Sequence, residues 1–578
     1  MRNTYDRVRI DVLVAGGGGA AFRAAAEAAR LGASVRVVCK GRVGRSGLTA
    51  TARSEILSIG AALGHADPRD NPRVHFADTM VGGEGFCDPR LVRVLVNEAP
   101  GLVMDLAGLG VPFERQGRKL IQGMSDYATY PRCCRVDGTT GHSILSALMV
   151  EADRLNVPVD DSTMVADLLV DDSKVVGAIG IDSARGRIVT YEAGAVVLAT
   201  GGVGDAFVPT LSDATMTGDG LALCLRAGAR LVNMEFHQLI PGLIHPSPLV
   251  LSKPLYRLRP KLVNERGELF LGRYLPSGVD EEEVFAHKVS PYSTSNPSRY
   301  IDEAIFQETQ GNQGSGAGKV YYDFTGTSTQ EFVRVAPHTY RALRSRGLDP
   351  ARGPIQVGIL FQLVNGGALM VNDTAMTEIA GLFVAGETAG GVRGPDRPGG
   401  NSLAEGQVFG ARAGRFAARW AEDHGIAPVE RMAYASAIDR LSAQGQGGNA
   451  SASDEVRRRL KETMGTLCSV VKTGASLTLA LERLEALEQE LARTSARSCR
   501  DLVKLHSVRN SLLVCRAICL AALARTETRA GHYRKDFPQA ASTLRKSLAI
   551  RMGGGELCVD VLEYQRGGEV GPALHLSA

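Results

Sequence analysis

The chain has 578 residues, of which 44% are hydrophobic and 22% are charged. This balance supports several packed cores and excludes a disordered chain. Lys and Arg number 66 against 62 Asp and Glu, so the net charge is only +4 and supplies no chain-wide field for a polyanion. We therefore expect no nucleic-acid partner. Glycine is abundant, with 67 residues or about 12% against a usual share of about 7%.

The compartment is predicted from the apolar segments and the cysteines. The chain runs within about ten residues into a strand-like segment, which leaves no room for a secretory signal. The apolar stretch from Leu512 to Ala524 is too short to span a membrane and carries Arg516. The ten cysteines lack Cys-x-x-Cys spacing, which argues against disulfides, a zinc site or an iron–sulfur site in this chain. We expect a cytoplasmic protein without a membrane span.

A nucleotide-binding pattern opens the chain. An apolar strand over residues 8–14 is followed by a glycine run, an alanine-rich helix over 20–31 and a second strand over 34–40. The spacing Gly16-x-Gly18-x-x-Ala21 matches the dinucleotide fingerprint, in which glycines allow a tight turn and a close approach to a pyrophosphate. The acidic residue that would bind the ribose of NAD is replaced by Lys40, which favours another dinucleotide.

Later segments complete the predicted nucleotide-binding sheet. A buried strand at 195–202 ends in glycines and another at 379–387 ends in a glycine and a carboxylate, and they stand on either side of a long intervening segment. Helical periodicity dominates after residue 427. The sequence therefore predicts a nucleotide-binding domain in two parts, 1–236 and 357–425, an inserted domain over 237–356, and a helical domain and tail over 426–578.

These pieces, in this order, resemble the flavoprotein family of fumarate reductase, succinate dehydrogenase and L-aspartate oxidase. The resemblance implies an α/β FAD-binding Rossmann-like domain with an inserted α+β capping domain and a C-terminal helical domain. It rests on the glycine fingerprint and on a series of ordered motifs: Lys40 through Arg45-Ser46, Thr140-Gly141-His142, Ala199-Thr-Gly-Gly202, Thr217-Gly-Asp-Gly220, Met234-Glu235-Phe236, Gly386-Glu387, Arg397-Pro-Gly-Gly-Asn-Ser-Leu403, and Arg525-Thr-Glu-Thr-Arg-Ala-Gly-His-Tyr-Arg534.

The resemblance implies FAD as cofactor and assigns its contacts by position. In succinate dehydrogenases a histidine that carries FAD covalently follows the matching serine, whereas Gly47 follows Ser46 here, so we expect noncovalent FAD. Lys40 is expected near the adenosine, and Ser402 with Leu403 beside the isoalloxazine. The implied cofactor-binding residues are Gly16, Gly18, Gly19, Ala20, Lys40, Ser46, Gly47, Thr200, Gly201, Asp219, Glu387, Ser402 and Leu403.

The implied substrate pocket departs from the family. The family's two substrate-binding histidines are Ile240 and Gln362 in this chain. Arg397 matches the arginine that clamps a substrate carboxylate, and Ser252 stands at the position of a substrate-binding threonine. His237 flanks the altered segment and is a candidate to replace a lost histidine. Because Gln362 supplies no positive charge, a C4 dicarboxylate dianion is poorly matched.

The position of the family's proton-donating arginine can be aligned with this chain in two ways. The family's proton-donating arginine resembles Arg299, but anchoring on Ala304-Ile305 and Glu308 places Ser298 at that position. A slip of one residue turns a side chain by about 100° around a helix, so the two alignments differ in whether a guanidinium reaches the flavin.

The expected function is an FAD-dependent oxidoreductase that exchanges a hydride between flavin N5 and a small anionic carboxylate-type substrate. The reaction would be C–C dehydrogenation or C=C reduction, on a substrate other than plain succinate or fumarate. One alternative is an amino-acid oxidase resembling L-aspartate oxidase. Another is a catalytic subunit that passes electrons to an iron–sulfur or other redox partner, as in adenylylsulfate reductase.

Overall fold

The computed structural model describes residues 5–54, 56–251, 253–310, 318–428, 434, 441, 452–564 and 574–575. Its main sheet has seven strands, and five of them are mutually parallel. The remaining two form an antiparallel extension at one side. The parallel strands are Val159–Asp160, Val35–Val38, Tyr5–Ala15, Arg187–Leu198 and Leu382–Val384, and the extension is Lys174–Asp182 and Thr163–Asp171.

The register of the main sheet explains where a cofactor can bind. Ala15 pairs with both Val38 and Leu198, and Leu198 pairs with Val384, so four parallel strands end in line. The buried β-branched residues of these strands suit a sheet covered on both faces. In parallel sheets ligands bind beyond the carboxyl ends of the strands. The predicted strand–helix–strand unit is confirmed, with the helix at Gly19–Arg30.

A capping sheet of five antiparallel strands forms the insertion. Its first strand in the chain begins at His237, and its last strand, Ile355–Val364, spans the expected division at 356/357, so the domain bounds stay predictions. The strands, in spatial order, are Leu249–Val250, His237–Leu243, Ile355–Val364, Val320–Asp323 and Lys261–Asn264.

The C-terminal region is helical and then returns to the body of the protein. After its helices, a hairpin joins a third sheet that also contains strands from the middle of the chain. The sequence analysis did not identify this hairpin. The strands of the third sheet are Ala389–Gly390, Gly367–Leu369, Leu231–Val232, Ser547–Gly553, Glu556–Leu562 and Leu574–His575.

Helices cover the sheets and form most of the C-terminal region. One long helix, with 24 residues from Asn401 to His424, follows the loop that carries Arg397. The described α-helices are Gly19–Arg30, Leu48–Thr51, Pro72–Gly83, Pro89–Gly108, Thr140–Arg154, Asp219–Ala227, Glu281–Ala286, Arg299–Gln310, Thr329–Val335, Pro337–Arg344, Asn401–His424, Ala452–Leu467, Gly474–Ala492 and Cys499–Ala524.

One of these helices passes a test of length and apolarity for a membrane span. It is Cys499–Ala524, and 61% of its most apolar window is buried inside the protein. A core helix of this kind passes the same test, so the expectation of no membrane span stays a prediction. Nine of the ten cysteines are buried and all ten are free thiols.

A close helix contact fixes the cofactor end of the main sheet. Helix Asn401–His424 packs across helix Gly19–Arg30 through glycines. A Cβ on Gly414 would lie 2.1 Å from the carbonyl oxygen of Ala24, and one on Gly410 would lie 2.7 Å from that of Ala20. The two backbones are therefore as near as glycine allows.

We predict that Gly414→Ala lowers the free energy of unfolding by about 1–3 kcal/mol, because overpacking must push the two helices apart. The matched control is Gly101→Ala, at an exposed position of helix Pro89–Gly108 where an added Cβ meets nothing within 4 Å. That substitution should stabilise the helix by about 0.5–1 kcal/mol. Equal changes in the free energy of unfolding for Gly414→Ala and Gly101→Ala, measured by urea denaturation, would contradict the packing argument.

Candidate active site

The glycine turn lies at the carboxyl end of the first strand. Gly16 has φ +136°, and a Cβ there would lie 2.2 Å from the carbonyl oxygen of Ala199, so only glycine fits between the neighbouring strands. The N-terminus of helix Gly19–Arg30 follows at once, and its first N–H, from Gly19, contacts the Thr49 hydroxyl at 3.4 Å. Few side-chain atoms contact this helix N-terminus, so its N–H groups are suited to bind a pyrophosphate.

A large cavity extends from this turn to the capping sheet. Its volume is about 920 Å³, at the upper end of the range for ligand sites, which suits a large cofactor together with a small substrate. Every predicted cofactor-binding residue lines it: Gly16, Gly18, Gly19, Ala20, Lys40, Ser46, Gly47, Thr200, Gly201, Asp219, Glu387, Ser402 and Leu403.

Charged and polar groups at the cofactor end are held in place. The Lys40 Nζ lies 2.6 Å from an Asp219 carboxylate oxygen, and Asn510 donates a hydrogen bond of 2.9 Å to the other oxygen. Thr217 also bonds both Lys40 and Asp219. This network fixes a cation and a carboxylate side by side in the cavity wall.

Several enclosed oxygens in the wall lack partners among the described residues, and two of them belong to predicted cofactor-binding residues. They are Oε1 of Glu387 and Oγ of Ser402. Burial raises the pKa of Glu387 to about 7, although the nearby Arg393 opposes the shift. Enclosed polar atoms are almost always hydrogen-bonded in proteins, so these atoms point to a polar ligand. FAD, with its ribityl and ribose hydroxyls and its polar ring edge, fits this donor and acceptor set.

The other end of the cavity is organised around Arg397. One of its terminal nitrogens donates to Gln238 Oε1 at 2.9 Å, and the other donates to the carbonyl of Pro398 at 3.3 Å. Its Nε is enclosed and has no partner among the described residues. Burial, reinforced by Arg393, lowers the pKa of Arg397 to about 10, so it remains charged at neutral pH. Gln362 lines the cavity with it.

Two predicted residues do not reach the cavity. Arg299 starts helix Arg299–Gln310 and lies over the rings of Tyr300 and Tyr533, at 4.8 and 5.7 Å, which corrects the alignment that would place it beside the flavin. These ring contacts, together with an ion pair to its own helix, hold its guanidinium elsewhere.

His237 is the second correction, because it is fully buried between the rings of Phe207 and Phe361 rather than exposed to substrate. It belongs to the inward face of a capping strand, so its side chain packs into the core. Ser252, the expected substrate-binding serine, lies outside the described residues.

The sequence analysis missed several residues at the mouth of the cavity. Lys253, Arg257 and Arg346 all line it from the capping domain. Lys253 pairs with Asp126 at 2.7 Å, and Arg346 donates to Ser247 at 3.0 Å. Lys253 and Arg257 lie close to Ser252 in the sequence, and this closeness could have identified them as cavity residues. Arg346 lies far from Ser252 in the sequence and offers no such signal.

The fold and cavity define a protein that holds a dinucleotide at the carboxyl ends of a parallel sheet, beneath a capping domain. Residues 11–403 match the FAD binding domain family, and residues 457–556 match the fumarate reductase flavoprotein C-terminal family. One subunit of the fumarate reductase (CoM/CoB) of Methanothermobacter marburgensis is 32% identical over 549 residues, which cover 93% of this chain and 96% of the relative.

Two further comparisons agree. The L-aspartate oxidase of Caulobacter vibrioides is 31% identical over 478 residues, which cover 81% of this chain and 83% of the relative. The structure of Mycobacterium smegmatis Sdh1 in complex with UQ1 matches with a TM-score of 0.85 and 31% identity, covering 97% of this chain and 95% of that one. The chain belongs to the fumarate reductase and L-aspartate oxidase family of FAD-dependent oxidoreductases. The predictions of family, fold class, FAD and enzyme class are therefore confirmed.

Noncovalent attachment of the FAD stays a prediction. Gly47 lines the cavity and offers no nucleophile for a covalent bond to the cofactor. We expect acid precipitation of the holoenzyme to leave all flavin absorbance in the supernatant. Flavin that stays with the denatured, washed pellet would contradict this expectation.

Proposed function

We propose that this flavoenzyme exchanges a hydride between FAD and a small carboxylate-type substrate, so that a C–C bond next to the carboxylate is desaturated or saturated. The observation that carries the proposal is the enclosed, unpartnered Nε of Arg397. A guanidinium edge left open in this way suits a planar carboxylate, which it can bind through two parallel hydrogen bonds. When bound, FAD supplies the hydride acceptor or donor.

Arg397 also has the charge that the chemistry needs. Removing a proton from the carbon next to a carboxylate builds negative charge on that carboxylate. A fixed cation in a site that excludes water stabilises such charge far more than it would in bulk water. Its bond to Gln238 and its bond to Pro398 hold the guanidinium in place before substrate arrives.

The residues near Arg397 are poorly suited to bind the second carboxylate of a C4 dicarboxylate. Gln362 and Ile240 line this part of the cavity, and neither carries charge. An amide can hydrogen-bond a carboxylate but does not neutralise it. This supports a substrate other than plain succinate or fumarate.

Besides Arg393, which is paired with Glu405, further cations stand at the cavity mouth. Within the described chain, Arg257 has neither a hydrogen bond nor an ion pair, while Arg346 is bonded only to neutral oxygens. Lys253 is the third cation and is matched by Asp126. This arrangement supports a substrate whose further anionic group extends toward the mouth.

Relatives favour two alternative readings. The Caulobacter vibrioides relative is an L-aspartate oxidase, which supports an amino-acid oxidase; hydrogen peroxide formed with an amino acid would identify that activity. The Methanothermobacter marburgensis relative is one subunit of its enzyme, which supports a separate redox partner for this chain. Co-purification of an iron-containing chain would identify such a partner.

The test uses purified holoenzyme reduced anaerobically and mixed with a panel of α,β-unsaturated mono-, di- and tricarboxylates. We expect at least one acid to restore the oxidised flavin spectrum, with larger polyanionic acids faster than fumarate. No reoxidation by any acid, together with peroxide formation from amino acids, would overturn the proposal in favour of an oxidase.

Arg397→Lys should lower the rate of flavin reoxidation by about 10²–10³-fold, because an ammonium keeps the charge but loses the planar fork. The control is Arg344→Lys, on helix Pro337–Arg344, whose partner is Asp349 and which does not line the cavity. It should leave the rate unchanged. A loss of less than about threefold in Arg397→Lys would contradict a bidentate role.

A further inference from the structure

The hydride transfer proposed above needs a partner for the substrate proton, and Arg299 does not line the cavity. Tyr127 does line it. Its hydroxyl donates a hydrogen bond of 3.0 Å to Asp396 Oδ2, and Asp396 directly precedes Arg397 in the chain. A phenol bonded to a carboxylate therefore stands next to the residue that binds the substrate carboxylate in the proposed function.

Asp396 is a buried carboxylate without a cation. It is 4% exposed, and none of the described Lys, Arg or His side chains forms an ion pair with it. It is held by two hydroxyls instead, since Ser293 also donates to Oδ2 at 2.7 Å. Burial raises the pKa of Asp396 to about 6, so it changes protonation state close to neutrality.

Few other charged groups lie near Tyr127 and Asp396, and the one that faces Asp396 has its own partner. Glu84, which follows helix Pro72–Gly83, faces Asp396 and raises its pKa further. The Glu84 carboxylate is itself paired with Arg529 at 2.5 Å. The Ser293 hydroxyl in turn meets the Ser295 hydroxyl at 2.7 Å.

The segment that carries Tyr127 is fixed on Arg397's own loop. Ser125 donates to the carbonyl of Gly399 at 3.3 Å, and Gly399 N–H donates to the carbonyl of Asp126 at 3.3 Å. Tyr127 itself has φ +62°, a left-handed conformation that a bulky residue rarely adopts. Conformations of this kind persist where the surroundings impose them, and they cluster at functional sites.

We infer that Tyr127 is the catalytic residue that exchanges a proton with the substrate carbon, and that Asp396 is the positioning residue that sets the direction of this exchange. This inference rests on the proposed function. With Asp396 ionised, the Tyr127 hydroxyl donates to Asp396 and its lone pairs are free to accept a proton. With Asp396 protonated, the carboxylic acid donates to Tyr127, whose own O–H is then free to turn toward the substrate.

Atoms and electrons balance in both dehydrogenation and reduction. In dehydrogenation the C–H bond next to the substrate carboxylate breaks, and its proton forms an O–H bond with Tyr127 while the original phenol proton moves to Asp396. The electron pair of that C–H bond forms the C=C bond, as a hydride leaves the neighbouring carbon for the flavin. Reduction reverses each transfer. Dehydrogenation thus needs ionised Asp396, and reduction needs it protonated.

The test compares Tyr127→Phe, Asp396→Asn and the control Tyr130→Phe. Tyr130 lies in the same segment beneath Arg69 and does not line the cavity. Tyr127→Phe should lower kcat at least about 100-fold with FAD content and KM near the parent values. Tyr130→Phe should stay within about twofold of the parent.

The pH dependence of the reaction rate distinguishes a role of Asp396 in proton transfer from a purely structural role. In the parent, the dehydrogenation rate should fall as pH drops through about 6, and the reduction rate should fall as pH rises through about 6. Asp396→Asn keeps an oxygen that accepts from Tyr127 but cannot take a proton, so both limbs should vanish. Retention of either limb in Asp396→Asn would overturn the role of Asp396.

Infrared spectroscopy tests the pair without turnover. Difference spectra of the holoenzyme between about pH 5 and about pH 7 should show a carboxylic-acid band that is absent from Asp396→Asn and shifted in Tyr127→Phe. Absence of this band in the parent overturns the inference, even if no substrate has been found. If the parent turns over acids and Tyr127→Phe does so within about twofold, the inference fails while the proposed function stands.

Discussion

The cavity depends on the buried positive charge of Arg397, which no described carboxylate contacts directly. Two arginines four residues apart enter the same site, and only Arg393 meets a carboxylate, Glu405, at 2.9 Å. Among the described residues Arg397 forms no ion pair. Glu405 and Glu387 lie near enough to favour its charged form but do not bond it, so an anion that bonds Arg397 directly gains a strong interaction. Anion binding next to the flavin follows from this arrangement.

The loop that carries these arginines is held by the rest of the fold. Arg393 donates to the carbonyl of Ala389 at 2.8 Å, which ties the loop to the third sheet. A Cβ on Gly394 would lie 2.4 Å from the carbonyl oxygen of Gly83, so the loop lies directly on a helix of the main domain. The capping sheet then closes the cavity from the opposite side. The guanidinium of Arg397 is thus placed by three parts of the structure at once.

Local patterns predicted the cofactor half of the site, since the glycine turn and the strand ends are short-range features. Their alignment in one sheet edge follows from parallel pairing, as Ala15 opposite Leu198 shows. Substrate-side residues were harder, because their roles depend on side-chain direction. Arg299 was the candidate proton donor in one of two alignments, and its guanidinium lies on Tyr300 and Tyr533, which no local pattern indicates.

The residues that sequence reasoning missed come together only in three dimensions. Tyr127 and Asp396 are 269 positions apart, and Arg346 reaches the mouth from the turn after helix Pro337–Arg344. The hairpin of the third sheet, Ser547–Gly553 with Glu556–Leu562, was missed because helical periodicity dominates the preceding region. Much of the glycine excess now has a physical reason in close backbone contacts such as those at Gly16 and Gly414.

The central claim is that Arg397 binds the substrate carboxylate through its open edge. The most direct measurement is a crystal structure of the holoenzyme with a bound substrate acid or a slowly reacting analogue. The account predicts a carboxylate oxygen within about 2.7–3.2 Å of Arg397 Nε. An acid whose carboxylate is bound elsewhere, with Arg397 Nε still without a partner, would contradict it.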